Sequence, residues 1–259
     1  MENQDQAIEK KQETALAMGE RRGFEGGIDS EDLIIPRAML IQNTPPRTVT
    51  IDRKICTPGT IINSLTALPI PVDDKGGIVF IPVIVGRKWI RFNAQEPKMQ
   101  DGSPNPLFNP EFEPGAKIWE SKDPRDERVI KEGSWGKNSD PPLATKILEF
   151  LCVIPAEPMP LVVSFSKTSF KAGKQLASMC QYSTKPDMFS TKYKLIVKTE
   201  KNDRQQEYFS LAVAKVGDVT PEEFQQAETI YKSFVGKELK VHGEEDSAEP
   251  VSPKQPWEL

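Results

Sequence analysis

Histidine is nearly absent from this chain of 259 residues. The one histidine, His242, stands just before an acidic C-terminal stretch. That position argues against a Ser-His-Asp or Cys-His catalytic arrangement. Glycine-rich phosphate loops, dinucleotide fingerprints and metalloprotease motifs are also missing from the sequence. We therefore expect a protein that is not an enzyme and that uses no cofactor.

Cysteines and long apolar runs are scarce as well. The three cysteines, Cys56, Cys152 and Cys180, are far apart and odd in number, so we expect neither a disulfide framework nor a zinc site. No apolar run approaches the roughly 20 residues of a membrane span. The first residues are polar and have no apolar signal-peptide core. These absences predict a cytoplasmic protein with no membrane partner and no bound metal.

Charge, by contrast, is plentiful and unevenly distributed. Residues 1–32 hold nine acids and four bases, and residues 243–259 hold five acids and one lysine. Residues 161–215 hold ten bases and four acids, a net charge of +6. A basic segment of the body is therefore flanked by acidic ends, which the small net charge of −4 conceals.

The distribution of polar and proline-rich segments predicts the domain organisation. Residues 1–27 are rich in Gln, Glu and Lys and are predicted to form a flexible arm. Residues 28–242 are predicted to form the folded domain, with a long proline-rich insertion over residues 94–142. Within the insertion, "AKIWE" and "ERVIKE" are predicted to be short strands. Residues 243–259, interrupted by three prolines, are predicted to form a disordered acidic tail.

Most of the regular structure is predicted to be β. Residues 78–85 are almost all β-branched or aromatic, which indicates a strand buried on both faces. Gly86 is expected to mark a bulge or bend. Strands are also expected at "TKILEFLCVIP" and "PLVVSFS", and a hairpin over "TKYKLIVKTEKNDRQQEYFSLAVAKV".

Two helices interrupt the strands. "KTSFKAGKQLASMCQ" is expected to be helical, with Thr168 or Ser166 as its N-cap. The second helix is expected to begin at Pro221, with Thr220 as N-cap and Glu223 completing a capping box.

The hairpin carries the first candidate binding surface. Alternation along its first arm places Lys192, Lys194 and Lys198 on one face and apolar residues on the other. Tyr208, on the return arm, shares the lysine face. Lysines neutralise phosphates and an aromatic ring can stack on an unpaired base, so this face suits single-stranded nucleic acid. The alternative is a solvated face whose lysines prevent edge-to-edge aggregation.

Two further elements offer the same chemistry. Arg87, Trp89 and Arg91 alternate along one strand face. The first helix adds lysines at three positions: Lys167, Lys171 and Lys174. Trp89 also fits a core position. Glu149, an acid inside an apolar strand, leaves a metal-dependent nuclease as a lesser alternative, although an outward-facing strand position explains it as well.

The tail ends in "PWEL", so an acidic string carries an apolar tip. It resembles the acidic C-terminal tails of bacterial and phage single-stranded-DNA-binding proteins (SSBs). Trp257, Glu258 and Leu259 would then bind partner proteins. The tip departs from the acidic-Pro-Phe ending of the cellular proteins. A tail that only increases solubility is the alternative.

A second resemblance spans roughly residues 24–235. "DLIIPRAMLIQ", "PGTIINSLT", "IVFIPVIVGRKWIRF", "SFSKTSFKAGKQL" and "YKLIVKTEKNDRQQEYFSLAV" look like a family of phage-encoded SSB-type proteins. The resemblance implies a mainly β fold, an oligonucleotide-binding (OB) barrel elaborated by insertions. It implies sequence-independent binding of single-stranded DNA, recruitment of replication or recombination proteins, and a place in the host cytoplasm.

Other functions stay open on the sequence. The main alternative is a non-enzymatic phage protein-interaction or virion component, in which the basic face contacts an acidic partner. A homo-oligomer is also compatible with the sequence.

Overall fold

A computed structural model gives the arrangement of most of the chain. It describes residues 33–43, 56–99, 101–134, 142–202, 205–237 and 239–242. The predicted arm and acidic tail, with Trp257, Glu258 and Leu259, lie outside the described residues.

Ten strands form the framework of the described residues. They are β1 (Ile34–Ile35), β2 (Arg37–Leu40), β3 (Ile61–Asn63), β4 (Gly77–Phe92), β5 (Lys117–Ser121), β6 (Thr145–Val153), β7 (Leu161–Ser166), β8 (Thr191–Lys201), β9 (Glu207–Asp218) and β10 (Lys240–Val241). Strands β2 to β9 make one sheet in the order β3-β2-β7-β6-β4-β8-β9, with β5 added beside β4. Strands β1 and β10 form a separate parallel pair.

Strand β4 runs for 16 residues and joins the parts of the large sheet. Its first residues, from Gly77 to Phe80, pair with β8, and its later residues pair with β6 and then β5. The register against β6 shifts between Pro82 and Ile84. The irregularity expected at Gly86 therefore lies earlier, and Gly86 itself sits in register opposite Glu149.

Two apolar cores lie on opposite faces of the sheet. One is covered by helix α2 (Phe170–Gln181) and contains Phe80, Phe150, Phe165 and Tyr193. The other is covered by helix α3 (Pro221–Phe234) and contains Ile81, Leu151, Val162, Ile230 and Phe234. Ile78 and Phe80 face the first core and Ile81 and Val83 face the second, because successive side chains of a strand point to opposite faces. This confirms the expected burial of that strand on both faces.

The predicted N-terminal cap is present at one of the two predicted helices and differs at the other. At α3, Thr220, Pro221 and Glu223 form the predicted capping box. At α2, a short 3-10 turn (Lys167–Ser169) comes first, and neither Ser166 nor Ser169 caps a helix with its side chain. The Ser169 hydroxyl instead accepts a hydrogen bond from the backbone N–H of Leu211, at 3.0 Å. Of the two predicted N-cap residues, Ser166 therefore occupies the N-cap position of the 3-10 turn without a side-chain hydrogen bond, whereas Thr168 lies inside that turn.

The described part of the long insertion is built onto β4. Lys117–Ser121 forms the predicted strand, β5, antiparallel to the end of β4. "ERVIKE" is a helix, α1 (Glu127–Glu132), rather than the predicted strand. Asp126 caps it by accepting from the backbone N–H of Arg128 at 2.9 Å, which favours the helix over an extended chain.

Side-chain hydrogen bonds help the sheet to curl. The Gln42 carboxamide follows β2 and bonds both backbone groups of Phe209 on β9, at 2.8 and 3.0 Å. A Cβ at Gly59, whose φ is +87°, would lie only 2.9 Å from the Phe209 ring. These contacts bring β2 close to the far edge strand. The result is a curled half-barrel, compatible with an OB-like fold, and it confirms the mainly β prediction.

Among the described residues, no helix is long and apolar enough to cross a membrane. No three His, Cys, Asp or Glu side chains are arranged to hold a metal ion in the same part of the chain.

Candidate nucleic-acid interface

Three cations and two aromatic rings meet where α2 begins. The Lys146 Nζ lies 5.1 Å from the centroid of the Trp89 ring and 5.8 Å from that of Phe170. The Arg87 guanidinium lies 5.6 Å from the Trp89 centroid, and the Lys174 Nζ lies 5.9 Å from the Phe170 centroid. We call these five residues the cation–aromatic cluster.

The strand register explains why these residues meet. Trp89 on β4 is paired with Lys146 on β6, so their side chains share one face. The next strand, β7, pairs with β6 through Ile147 and Ser166 and then leads into α2. Phe170 and Lys174 occupy the first turns of that helix, four residues apart and therefore on one side of it.

The cluster concentrates positive charge. Burial lowers the pKa of Lys146, and the like charges of Arg87 and Lys174 lower it further. Within the described residues, no carboxylate lies within 4 Å of the charged groups of these three cations. The ring faces partly stabilise the cations. Among the described residues, no close carboxylate offsets this positive charge, and such an arrangement suits an anion.

Trp89 is a core residue rather than an open platform. It is 5% exposed and packs with Val129 and Ala144, beside Trp119. The backbone of Gly133 approaches it so closely that a Cβ there would lie 3.0 Å from Cδ1 of the Trp89 ring. The core alternative therefore describes Trp89, and the half-buried Phe170 is the ring of the cluster that remains more accessible.

Arg91 is bound by the insertion and by Leu143, the residue that follows it. Its guanidinium donates to the backbone carbonyls of Leu143, at 3.1 Å, and Leu107, at 3.2 Å. Its side chain is only 13% exposed. Arg91 thus holds the insertion against β4, and its predicted contact with phosphate would require those bonds to break.

The lysines at the start of α2 extend the positive surface. Lys167, Lys171 and Lys174 are all exposed. Lys167 has a φ of 47°, in the left-handed region, where the chain turns from β7 towards α2. The N-terminus of α2 has no side-chain cap, so its dipole adds to the positive potential of the lysines.

The hairpin lysines have acidic partners. The Lys192 Nζ lies 3.0 Å from Oε2 of Glu223, at the start of α3, and Lys194 pairs with Asp73. Their strand alternates as predicted, with Tyr193 and Leu195 in the core under α2. Lys192 and Lys194 therefore point to the opposite side of the sheet from the cation–aromatic cluster.

The rest of the hairpin face is mixed. Lys198 is exposed. The Tyr208 hydroxyl donates to Glu200 Oε2 at 2.7 Å, and the Ser210 hydroxyl donates to Oε1 of the same carboxylate at 2.6 Å. These bonds lower the pKa of Glu200, which keeps a negative charge on this face.

A second charged cluster lies on the opposite face of β4 and β6. The Lys88 Nζ is 3.1 Å from Glu149 Oε2 and 3.4 Å from Glu120 Oε1, and the Lys88 side chain is 2% exposed. Arg37 lies 3.3 Å from Glu149 Oε1. Burial alone would raise the pKa of Glu120, but Lys88 and Lys117 more than offset it and hold that pKa below its ordinary value. We call these five residues the ion-pair cluster; it places Glu149 in a central strand as a structural partner of cations.

The sequence prediction missed two residues of the cation–aromatic cluster, Lys146 and Phe170. Lys146 precedes an apolar strand, and only the register against β4 places it beside Trp89. Phe170 looks like an ordinary apolar residue of a helix. Its spacing of four residues to Lys174 was the available signal.

Comparison with known proteins gives a family. No curated protein and no solved structure matched the chain. The family model described as "Pam3 phage gp34-like protein" matches residues 4–240. This confirms the phage part of the resemblance seen in the sequence, while its SSB part stays a prediction. Because the match covers most of the 259 residues, the chain belongs to the Pam3 phage gp34-like protein family.

Proposed function

We propose that this phage protein binds single-stranded DNA without sequence preference. The observation that carries the proposal is the cation–aromatic cluster, three cations gathered around two rings with no carboxylate partner among the described residues. Cations of this kind neutralise backbone phosphates, which is the sequence-independent part of nucleic-acid binding.

The surroundings of the cluster support a strand that runs along the start of α2. Lys167 and Lys171 continue the exposed positive surface beyond Lys174. Phe170, half-buried between Lys146 and Lys174, offers part of a ring face to one base. Stacking of this type needs an unpaired base and contributes about 1–3 kcal/mol per base. The proposal therefore favours single strands over duplex.

We further propose that the acidic tail recruits replication or recombination proteins. Its tip, Trp257, Glu258 and Leu259, combines apolar side chains with an acid, a chemistry that can bind a partner groove with a basic rim. This part of the proposal rests on the sequence alone, because the tip lies outside the described residues.

The decisive experiment is a fluorescence titration of the full chain with equal-length single-stranded and duplex DNA over a range of salt. We expect tighter binding to the single strand, by about the 1–3 kcal/mol of one stacked base. Changing Arg87, Lys146 and Lys174 together to Ala should reduce the slope of log affinity against log salt by roughly 2, about 0.7 for each lost contact.

A matched variant controls for net charge. Lys75, Lys98 and Lys215 are exposed lysines that do not belong to the cluster, and changing all three to Ala removes the same charge. This control should keep most of the affinity and slope. Equal affinity for both forms of DNA would contradict stacking. Equal losses of DNA affinity in the two variants would show that the cluster contributes only through the net charge of the protein. No binding of DNA at all would favour a protein-interaction role.

A further inference from the structure

Tyr182, at the C-terminal end of helix α2, carries the most exposed aromatic ring in the described part of the chain. It is 85% exposed, and the next aromatic residue, Phe92, is 42% exposed. The ring therefore adds little to the core. Its backbone is nevertheless fixed, because the Tyr182 N–H donates to the Ser178 carbonyl at 3.0 Å and continues the winding of the helix. An ordered helix end thus presents an open ring to the solvent.

The packing of α2 determines which side of the helix faces outwards. Ala172, Gly173 and Leu176 are buried. A Cβ at Gly173 would lie only 2.6 Å from the Cβ of Phe165, so this glycine lets the helix approach strand β7 closely. The opposite side of α2 is left at the surface, where a ligand can bind without disturbing the core.

The outer side of α2 carries a row of side chains that leads from the cation–aromatic cluster to Tyr182. Its members are three or four residues apart and all are exposed: Lys171, Gln175, Ser178 and Tyr182. Positions with this spacing lie on one side of a helix. The row is basic near the start of α2 and uncharged further along, and α2 itself contains no acidic residue. Such a row suits a strand that is held by phosphates at one end and by a base at the other.

We propose that the single strand follows this row and that Tyr182 stacks on a second base. This inference rests on the function proposed above and adds a footprint to it. The helix is 12 residues long, so Tyr182 lies about 18 Å beyond Phe170 along its axis. At the roughly 3.4 Å spacing of stacked nucleotides, that distance corresponds to about five steps, and to fewer in an extended strand. A strand of about six nucleotides therefore reaches both rings, whereas a dinucleotide reaches one.

Stacking, rather than charge, distinguishes the Tyr182 end of this footprint. The next lysine along the chain, Lys185, is paired with Asp218 at 2.7 Å. The C-terminal end of a helix also carries the negative end of its dipole, which does not favour a phosphate. Tyr182 should therefore contribute to the affinity for DNA without adding to the number of phosphate contacts. Its removal should lower the affinity and leave the slope of log affinity against log salt unchanged.

The test uses the full chain and oligo-dT of two lengths, a strand of about 12 nucleotides and the dinucleotide. Fluorescence anisotropy measures the binding of the longer strand, and nuclear magnetic resonance shifts measure that of the dinucleotide. Tyr182→Ala should weaken the binding of the longer strand about fivefold or more, the lower end of the contribution of one stacked base. It should leave the salt slope and the binding of the dinucleotide unchanged, because the dinucleotide can stay at the cation–aromatic cluster.

Tyr182→Phe is the matched control, because it keeps the ring and removes only the hydroxyl. It should bind both strands as the unchanged protein does. Unchanged binding of the longer strand by Tyr182→Ala would overturn the second contact and leave the proposed function intact. An equal loss in Tyr182→Phe would overturn stacking, and an equal loss with the dinucleotide would overturn the footprint of two rings. If the unchanged protein binds neither strand, the proposed function and this inference both fail.

Discussion

The two faces of the same two strands carry charge in different ways. On one face, Lys146 of β6 lies among Arg87, Lys174 and two rings. On the other face, Lys88 of β4 is buried between Glu120 and Glu149. Lys88 is the more deeply buried lysine, yet its two carboxylates compensate for its charge. Lys146 is half-buried with like charges as neighbours, and the pKa of that lysine is lowered.

The difference separates a charge that stabilises the fold from one that can bind a ligand. Removing one partner of a buried ion pair lowers the stability of the protein strongly, because the other charge is left without compensation. Removing a cation that is surrounded by like charges lowers the stability little, since some repulsion disappears as well. Substitutions on the two faces should therefore separate stability from binding.

The largest expected effect is on the stability of the ion-pair cluster. Lys88→Ala should lower the free energy of unfolding by about 3 kcal/mol, because Glu120 and Glu149 lose their shared buried partner. Arg87→Ala, one residue earlier and exposed, should lower it by about 1 kcal/mol at most. Urea unfolding followed by circular dichroism measures both free energies.

Lys117 gives a control on the same carboxylate. Its Nζ lies 3.1 Å from Glu120 Oε2, but its side chain is 24% exposed. Lys117→Ala should therefore cost less than about 1 kcal/mol. If Lys88→Ala costs no more than Lys117→Ala, burial does not distinguish the two ion pairs and the comparison of the faces fails.

The next effect compares two pairs of lysines in DNA binding. Changing Lys146 and Lys174 to Ala should reduce the salt slope by roughly 1.4, which corresponds to two lost phosphate contacts. Changing Lys192 and Lys194 to Ala should reduce it less, because Glu223 and Asp73 already neutralise those lysines. Titrations with one single-stranded oligonucleotide at several salt concentrations measure both slopes.

The opposite ranking of the two lysine pairs would also be informative. A larger loss in the Lys192 and Lys194 variant would mean that DNA displaces the two acids and that the hairpin face is the main interface, as the sequence pattern suggested. Glu223→Gln tests this reading further, because it should strengthen binding only if the hairpin contacts DNA.

Much of the fold could be predicted from the sequence because local signals were consistent. The β-branched run over residues 78–85, the alternation of the hairpin and the Thr220 capping box each depend on neighbouring residues, and each is confirmed. "ERVIKE" was wrong as a strand because its short apolar pattern fits either structure, and the Asp126 cap decided it.

The site was harder to predict because it depends on register and on distant partners. Alternation correctly placed Lys192 and Lys194 on one face, but nothing local showed that Glu223 and Asp73 would pair with them. The same limit concealed Lys146, whose position beside Trp89 follows from the pairing of β4 with β6. The residue types predicted a cationic and aromatic surface, but the tertiary contacts determine which of its cations remain available to bind phosphates.

The smallest expected effect is a pH dependence of DNA binding that comes from Lys146. Burial and the charges of Arg87 and Lys174 hold the pKa of Lys146 below the ordinary value of 10.5 in the free protein. A bound phosphate favours the charged form and raises that pKa, so binding takes up a proton between the two pKa values. Affinity should therefore be flat near neutral pH and should fall, by less than about tenfold, as the pH rises through the lowered pKa of Lys146 in the free protein.

Lys146→Arg should remove this fall in affinity, because the guanidinium stays charged over this range, whereas Lys174→Arg should keep it. The measurement is an anisotropy titration with oligo-dA at constant ionic strength, since thymine itself loses a proton at alkaline pH. A flat profile in the unchanged protein, or a fall that persists in Lys146→Arg, would show that Lys146 does not contact the phosphates.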